Sequence, residues 1–395
     1  MKAKRAWLAG FLFAPLVLAG CWDRREINDV AFVMATGFDK VGDNYRVSIQ
    51  VPLPSQLGGI GGSGGGGGTS GEKSWYVESM TGKTVREANE KQQSSLSRQL
   101  YYAHRRVLLI GEEAAREGVK QYMDIIARIP QNRLGTFVMI TKGETRNVLN
   151  TEQSIEQFPA EMMRELAQNS MRKPRTAKHF IETLLSDGID PIAPAFEVAK
   201  TQSGSGKEKT TIKLSGMAVF KEGKLAGILN EDDSKGMLVV MNQALQPLYV
   251  LPAPKGKGEI SVLLQNVDTD IHPEFQGGKL KMRLKIRGRG SVLENSSDYD
   301  MTAQSNLEAL EMQLDLQMQK TILHTIDLLR KEYQSDPIGF GDTVYREFPD
   351  QWKKLRQDWQ SHYEAMSVEV ISQIHIVHTG SINLPFGYKE GEIKR

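Results

Sequence analysis

The chain has 395 residues, 39% hydrophobic and 25% charged, with seven histidines and one cysteine. That length supports two or three domains with a sizeable core, the balance excludes a disordered chain or a polytopic membrane protein, and a lone thiol excludes a disulfide framework. The formal charge of +2 includes Lys2, Lys4 and Arg5; without these, 47 basic residues face 48 acidic ones, which argues against nucleic-acid binding by bulk charge.

In chain order, those three cations precede an apolar run from Ala6 to Leu18, of signal-peptide length and short of the ~20 residues of a membrane span. Leu18, Ala19 and Gly20 lead into Cys21. This order resembles the bacterial lipobox, in which the thiol receives a diacylglyceryl group and a peptidase cuts between Gly20 and Cys21. Small side chains at Ala19 and Gly20 suit an enzyme that grips extended backbone closely. Residues 1–20 are therefore expected to be a lipoprotein signal peptide and Cys21 the lipid-bearing first residue of the mature chain. An ordinary secretory signal or a buried thiol is the plainer alternative. Each buried methylene contributes ~0.8 kcal/mol and stable anchoring takes two acyl chains, which a diacylglyceryl group supplies.

Alternating segments at 31–37 and 44–51 flank the turn-rich DKVGDN and predict a hairpin. Tyr45, Val47, Ile49 and Val51 fall on one side, Arg46, Ser48 and Gln50 on the other, the signature of a half-buried strand. The tract LGGIGGSGGGGGTSG builds no regular element and is expected to be a surface loop; its formal G-x-S-x-G and G-x-G-x-x-G matches lack strand-then-helix context. Next come a strand at 75–79, a helix from Thr84 to Leu100, a buried strand in AHRRVLLIGEE, a helix over EEAAREGVKQYMDIIARI, and a strand in RLGTFVMITKG. Helices around 155–168 and 176–185 follow, and Pro191, Pro194 and QSGSGKEK read as a domain boundary.

The turn Lys221-Glu222-Gly223-Lys224 predicts a second hairpin. ISVLLQNV and KLKMRLKIRGRG read as strands, the latter with Lys281, Arg283, Lys285 and Arg287 on one face. A solvated face is the plain expectation there, contact with anionic lipid or wall polymer the alternative. A long amphipathic helix from Asn306 to about Gln334 carries the stripe Leu307, Leu310, Leu314, Met318, Ile322, Ile326, Leu329 and Tyr333. It stops at SDPIGFG. A helix from Pro349 places Trp352, Leu355, Trp359 and Tyr363 on one face, and VEVISQIHIVH closes an antiparallel sheet.

The expected fold class is α+β and multi-domain, with mixed or antiparallel sheets each covered by helices. Its parts are an N-terminal α+β domain at 21–200 holding the glycine-rich loop 57–71, a small middle β domain at 201–260, and a C-terminal α+β domain at 261–395 with the long helix. No catalytic constellation emerges. His375 and His378 lie three apart in a strand and so point to opposite faces; His104, His179 and His324 are isolated. Gly206-Lys207 and Gly256-Lys257 lack the upstream glycine of a phosphate loop, and the adjacent acids Glu112/Glu113 and Asp232/Asp233 do not converge across a cleft.

The segments GCWDRREINDVAFVMATGFDK, LYYAHRRVLLIGEEAAREGV, LSGMAVFKEGKLAGIL and YQSDPIGFGDTVYREFPDQWKKLRQDW, in that order, resemble the Ger(x)C family, the lipoprotein C subunits of spore nutrient germinant receptors. The glycine tract is long for that family and looks like an insertion. The resemblance implies a three-domain α+β body without enzymatic activity, anchored through Cys21 to the outer face of the spore's inner membrane. Implied partners are two integral membrane subunits, A and B; no metal, no nucleic acid and no cofactor beyond the acyl lipid on Cys21 is implied. Trp22, Asp23, Arg24 and Arg25 beside the anchor are partner-contact residues in this view, or simply a structured first turn. The rivals are a lipid-anchored solute-binding protein of a transporter, which requires two similar lobes, and a wall hydrolase, which requires a metal or nucleophile cluster.

Overall fold

The computed structural model describes residues 29–53, 73–152, 155–202, 208–380, 382 and 384–394. Gly20, Cys21, Trp22, Asp23, Arg24, Arg25 and the glycine tract lie outside these residues.

Fourteen strands are described: β1 (Val30–Phe32), β2 (Ala35–Val41), β3 (Asn44–Pro52), β4 (Trp75–Gly82), β5 (Gln99–Tyr101), β6 (Val107–Gly111), β7 (Phe137–Thr141), β8 (Ile192–Gln202), β9 (Glu208–Lys221), β10 (Lys224–Leu229), β11 (Leu248–Pro252), β12 (Glu259–Gln276), β13 (Lys279–Asn295) and β14 (Ser367–His378). The helices are α1 (Val85–Ser95), α2 (Glu112–Glu117), α3 (Lys120–Arg128), α4 (Thr145–Leu149), α5 (Pro159–Gln168), α6 (Ala177–Leu184), α7 (Glu231–Val240), α8 (Gln304–Asp327), α9 (Phe340–Glu347), α10 (Pro349–Leu355) and α11 (Trp359–Ala365). The chain is a multi-domain α+β protein. One sheet has the order β10-β9-β8-β7-β6-β2-β3-β4, a second β11-β12-β13-β14, and β1 pairs with β5 beside the first.

The predicted first hairpin forms as β2 and β3, paired Ala35 to Gln50 through Val41 to Asn44. β3 is not half-buried as expected, because helices cover both faces of the large sheet. On one face Val47 and Ile49 join Phe38, Leu108 and Ile110 beneath α1, α2, α3 and α6; on the other Ala35, Val107, Leu109 and Met139 pack against α4 and α5. Gln50 tolerates burial because its Nε2 donates to Leu149 O at 2.8 Å and its Oε1 accepts from Ala160 N at 3.1 Å.

The helix expected at 84–100 is shorter. Thr84 caps α1 by accepting from Glu87 N, but the helix stops at Ser95 and Leu100 belongs to β5. The run 112–129 breaks into α2 and α3 at Gly118, whose φ of +144° only glycine adopts readily. Pro191 immediately precedes β8 and Pro194 lies within it, opposite Met217; the ladder to β7 begins at Ala195, past the ring that lacks a donor.

The stretch 201–260, expected as a middle unit, is divided between the sheets. β9 and β10 form the predicted hairpin, with Glu222 and Gly223 at positive φ in its turn, yet they extend the large sheet; β11 and the start of β12 belong to the second. The closing strand also departs from expectation. β14 runs parallel to β13, Lys281 opposite Ser367 onward, because the whole α8–α11 segment intervenes and returns the chain to the starting end of β13.

The long helix forms as predicted: Leu310, Leu314, Met318, Ile322, Ile326 and Leu329 are buried against Val262, Leu264, Met282, Leu284 and Ile374. Its last turn, Leu328–Glu332, is a π-helix. Three of the four cations on that face of β13 are paired across strands: Lys281 and Arg283 with Glu369 at 2.8 and 2.9 Å, Arg283 also with Glu274, and Arg287 with Asp270; Lys285 has no carboxylate within 4 Å among the described residues.

Candidate functional site at the joint of the two sheets

Where α8 ends, SDPIGFG does more than stop a helix. Pro337 prevents continuation, Gln334 and Gly339 take positive φ of 50° and 81°, and the chain closes around Asp336, which is 1% exposed. Its Oδ1 accepts from Gly339 N at 2.9 Å and Phe340 N at 3.0 Å, and its Oδ2 from Gly341 N at 2.9 Å. One carboxylate thus satisfies the first amides of α9, where a helix leaves its donors unpaired.

The loop is stitched to the large sheet by reciprocal bonds. Asp336 N donates to Asp190 Oδ2 at 2.8 Å, and Asp190 N donates to Asp336 O at 2.9 Å. Lys221 Nζ, at the end of β9, lies 3.4 Å from Asp190 Oδ2. Ser335 Oγ donates to Phe220 O at 2.7 Å, and the Tyr363 hydroxyl of α11 donates to Ser335 O at 2.8 Å. Gly188 and Gly341 touch backbone to backbone: a Cβ on Gly341 would meet Gly188 Cα at 2.6 Å. Trp352, Trp359 and Tyr363 close the outer side, ring centroids 5.3 and 6.1 Å apart, so the predicted aromatic face is core. Burial pushes the Asp336 carboxyl up to about 7 against the pull of its three amides. Asp190 moves up for the same reason, opposed by Lys221. At 1% exposure Asp336 is a fastener between halves rather than a group that meets substrate.

Two open recesses flank this frame. A cleft of about 480 Å³ lies between β9 and α7, lined by Glu197, Lys213, Met217, Ser234, Lys235 and Leu248. Ser234 Oγ closes its floor, accepting from Met217 N and donating to Leu229 O. A crevice of about 550 Å³ sits at the carboxyl ends of β2, β6 and β7, where open α/β sheets hold ligands. Its cations are matched to carboxylates: Arg46 pairs with Glu144 at 2.7 Å, Lys40 with Glu117 at 3.3 Å, and Arg116 with Glu112 at 2.6 Å, while Asp39 accepts from Thr145 N and Oγ1.

Among the described residues no three His, Cys, Asp or Glu side chains are placed to hold a metal ion. His375 Nδ1 lies 3.6 Å from Glu311 and His324 Nε2 3.7 Å from Asp233, both rings exposed. His104 packs on Phe32, and His179 Nδ1 shares a hydrogen bond with the Thr176 hydroxyl. Asp232 pairs with Lys235 at 3.1 Å, while Asp233 receives the Asn230 amide. Asp336 escaped sequence reasoning because its motif reads as a helix breaker; the available signal was an Asp set three and five residues ahead of glycines, whose amides can fold back on it.

Comparison with known proteins places this frame. A family model described as "Spore germination protein N-terminal domain" matches residues 23–198, and one described as "Spore germination B3/ GerAC like, C-terminal" matches 215–380. The chain is 40% identical to the "Putative spore germination protein YfkR" of Bacillus subtilis (strain 168), over 93% of its length and 95% of that protein's. It is 29% identical to "Spore germination protein KC" of the same organism, over 96% of each. The crystal structure of the GerBC protein shares the fold, with a TM-score of 0.54 at 18% identity over 90% of this chain and 100% of that one. The chain belongs to the Ger(x)C family of spore germination proteins.

Proposed function

We propose that this chain is the lipid-anchored, non-enzymatic C subunit of a nutrient germinant receptor, tethered through Cys21 to the outer face of the spore's inner membrane beside two integral membrane subunits, A and B. The observation that carries the proposal is the extent of the family match: it begins at residue 23, two past the thiol, and runs to 380, so the matched body starts where the lipobox-like leader ends. No helix among the described residues is long and apolar enough to cross a membrane, which makes the leader and its cysteine the natural source of attachment. The acyl lipid is the one non-protein group the proposal requires. Trp22, Asp23, Arg24 and Arg25 are its proposed partner contacts. The rival solute-binding protein needs two similar lobes, whereas the two sheets have eight and four strands in unlike order.

Replacing Cys21→Ala in sporulating cells tests the anchor. The variant is expected to leave the membrane fraction and to weaken or abolish the nutrient response. Retention in the membrane, or a full response with a soluble product, contradicts the proposal.

A further inference from the structure

We propose that the amino-terminal end of the large sheet is a docking surface for an anionic phospholipid membrane. The inference rests on the lipid-anchor reading for its orientation and on the following geometry for its chemistry.

Three segments meet at that end: 98–106 leading into β6, 127–135 into β7, and 170–180 into α6. Together they carry Arg98, Arg105, Arg106, Arg128, Arg133, Arg172, Lys173, Arg175 and Lys178, and contain no Asp or Glu. Backbone bonds hold them side by side: Phe137 N donates to Arg106 O, Val138 N to Arg175 O, Ala177 N to Thr136 O and Lys178 N to Leu134 O. A recess of about 560 Å³ joins the first two with α1, lined by Gln99, Tyr102, Ile129 and Gln131 and by the paired Arg86 and Glu90 of that helix.

Carboxylates from elsewhere reach some of these cations: Glu161 lies 3.6 Å from Arg106, Asp124 2.6 Å from Arg128, Asp268 3.6 Å from Arg172 and Glu182 3.7 Å from Lys178. Arg98, Arg133, Lys173 and Arg175 have none within 4 Å among the described residues, and the first three are exposed. Arg105, 5% exposed, adds a buried charge behind them; its guanidinium meets Asn132 Oδ1 at 2.9 Å and no carboxylate. The contrast with the opposite end of the sheet is sharp, since the cations of that crevice are each matched to a carboxylate. Leu134, 40% exposed, stands among the unmatched cations, an apolar side chain at the level where headgroups meet acyl chains.

The tether fixes the occupant. The chain enters its fold at this end: Val30 sits opposite Gln99, Val33 N donates to Tyr101 O, and Arg106 N donates to Met34 O. Cys21 precedes Asp29 by eight residues, which span at most ~29 Å fully extended. β12 alone, at 18 residues, is roughly 60 Å long. A membrane holding the Cys21 lipid is thus confined near this face, and its phosphates supply the missing negative charge.

The test uses the mature chain, residues 21–395, with Cys21→Ser so that no acyl chain contributes. It is sedimented with vesicles of phosphatidylglycerol and phosphatidylcholine in equal parts, and with phosphatidylcholine alone. Binding is expected to the anionic vesicles only, in low salt and not in high salt. Arg98→Gln/Arg133→Gln/Lys173→Gln should weaken it at least ~tenfold, while Lys353→Gln/Lys354→Gln/Arg356→Gln, which removes three exposed cations in the other half, should not, with unchanged melting for both. No binding to anionic vesicles, binding to both lipids alike, or equal losses for the two triples overturns the surface. Because the assay carries no acyl chain, these results stand apart from the modification state of Cys21. Selective binding with an unmodified Cys21 in spores keeps the surface and removes the anchor.

Discussion

Asp336 is the residue at which burial and hydrogen bonding oppose each other most directly. Desolvation lifts its carboxyl to about 7, against an unfolded value of 3.8, while three amides hold the ionised form. Asp190 and Lys221 face it from the large sheet and Tyr363 from α11. An acid whose folded pKa is raised binds a proton on folding, so its contribution to stability declines as pH climbs from about 4 to about 7 and is flat above. Asp336→Asn removes that titration. The variant should be less stable than the parent at about pH 5, having lost an acceptor for Gly341 N, yet lose less between about pH 5 and about pH 8. Thermal melts at the two pH values check this, and parallel losses in both chains would refute it. None of this was legible from composition. Ser48 and Gln50 show the same limit: alternation marked them as polar and outward, and only α4 and α5 arriving from a hundred residues later made that face a core.

Among elements, the long helix was the most legible, because its stripe repeats for seven turns and needs no partner to be recognised. What sequence periodicity hid is its second task. Glu311 and Asp315, four apart on α8, accept from Ile376 N at 2.6 Å and Ile374 N at 3.2 Å, and Ser372 Oγ also reaches Asp315. The helix therefore seals the free edge of β14, which would otherwise present unpaired amides. Glu311→Ala/Asp315→Ala should cost about 2–5 kcal/mol for two stranded donors and promote self-association, read by denaturant melts and light scattering. A stable monomer would show that water serves those amides equally well. Strand direction was hidden too: alternation in VEVISQIHIVH fixes which residues are buried, but parallel pairing follows from the helical crossover that precedes it.

At the scale of the molecule, one matched family segment ends at 198 and the other begins at 215, yet β8 and β9, which run into that interval from its two sides, pair in one sheet from Ile192 opposite Val219 to Gln202 opposite Glu208. The carboxyl-terminal half is therefore built into the amino-terminal sheet through β9 and β10, and the Asp190–Asp336 joint fastens it again. The pairing itself was hidden in the sequence, because a strand exchanged between halves looks locally like any other hairpin. The resemblance to the family was legible in short segments near both ends of the matched region, WDRREIND and SDPIGFG among them. The second of these is the buried joint.

Mass spectrometry of the amino-terminal peptide of the protein taken from spores bears most directly on the central claim, that a water-facing body is held at the membrane by one sulfur. A peptide beginning at Cys21 and carrying a diacylglyceryl group is the predicted result. A retained leader, or a free thiol at Cys21, would contradict it.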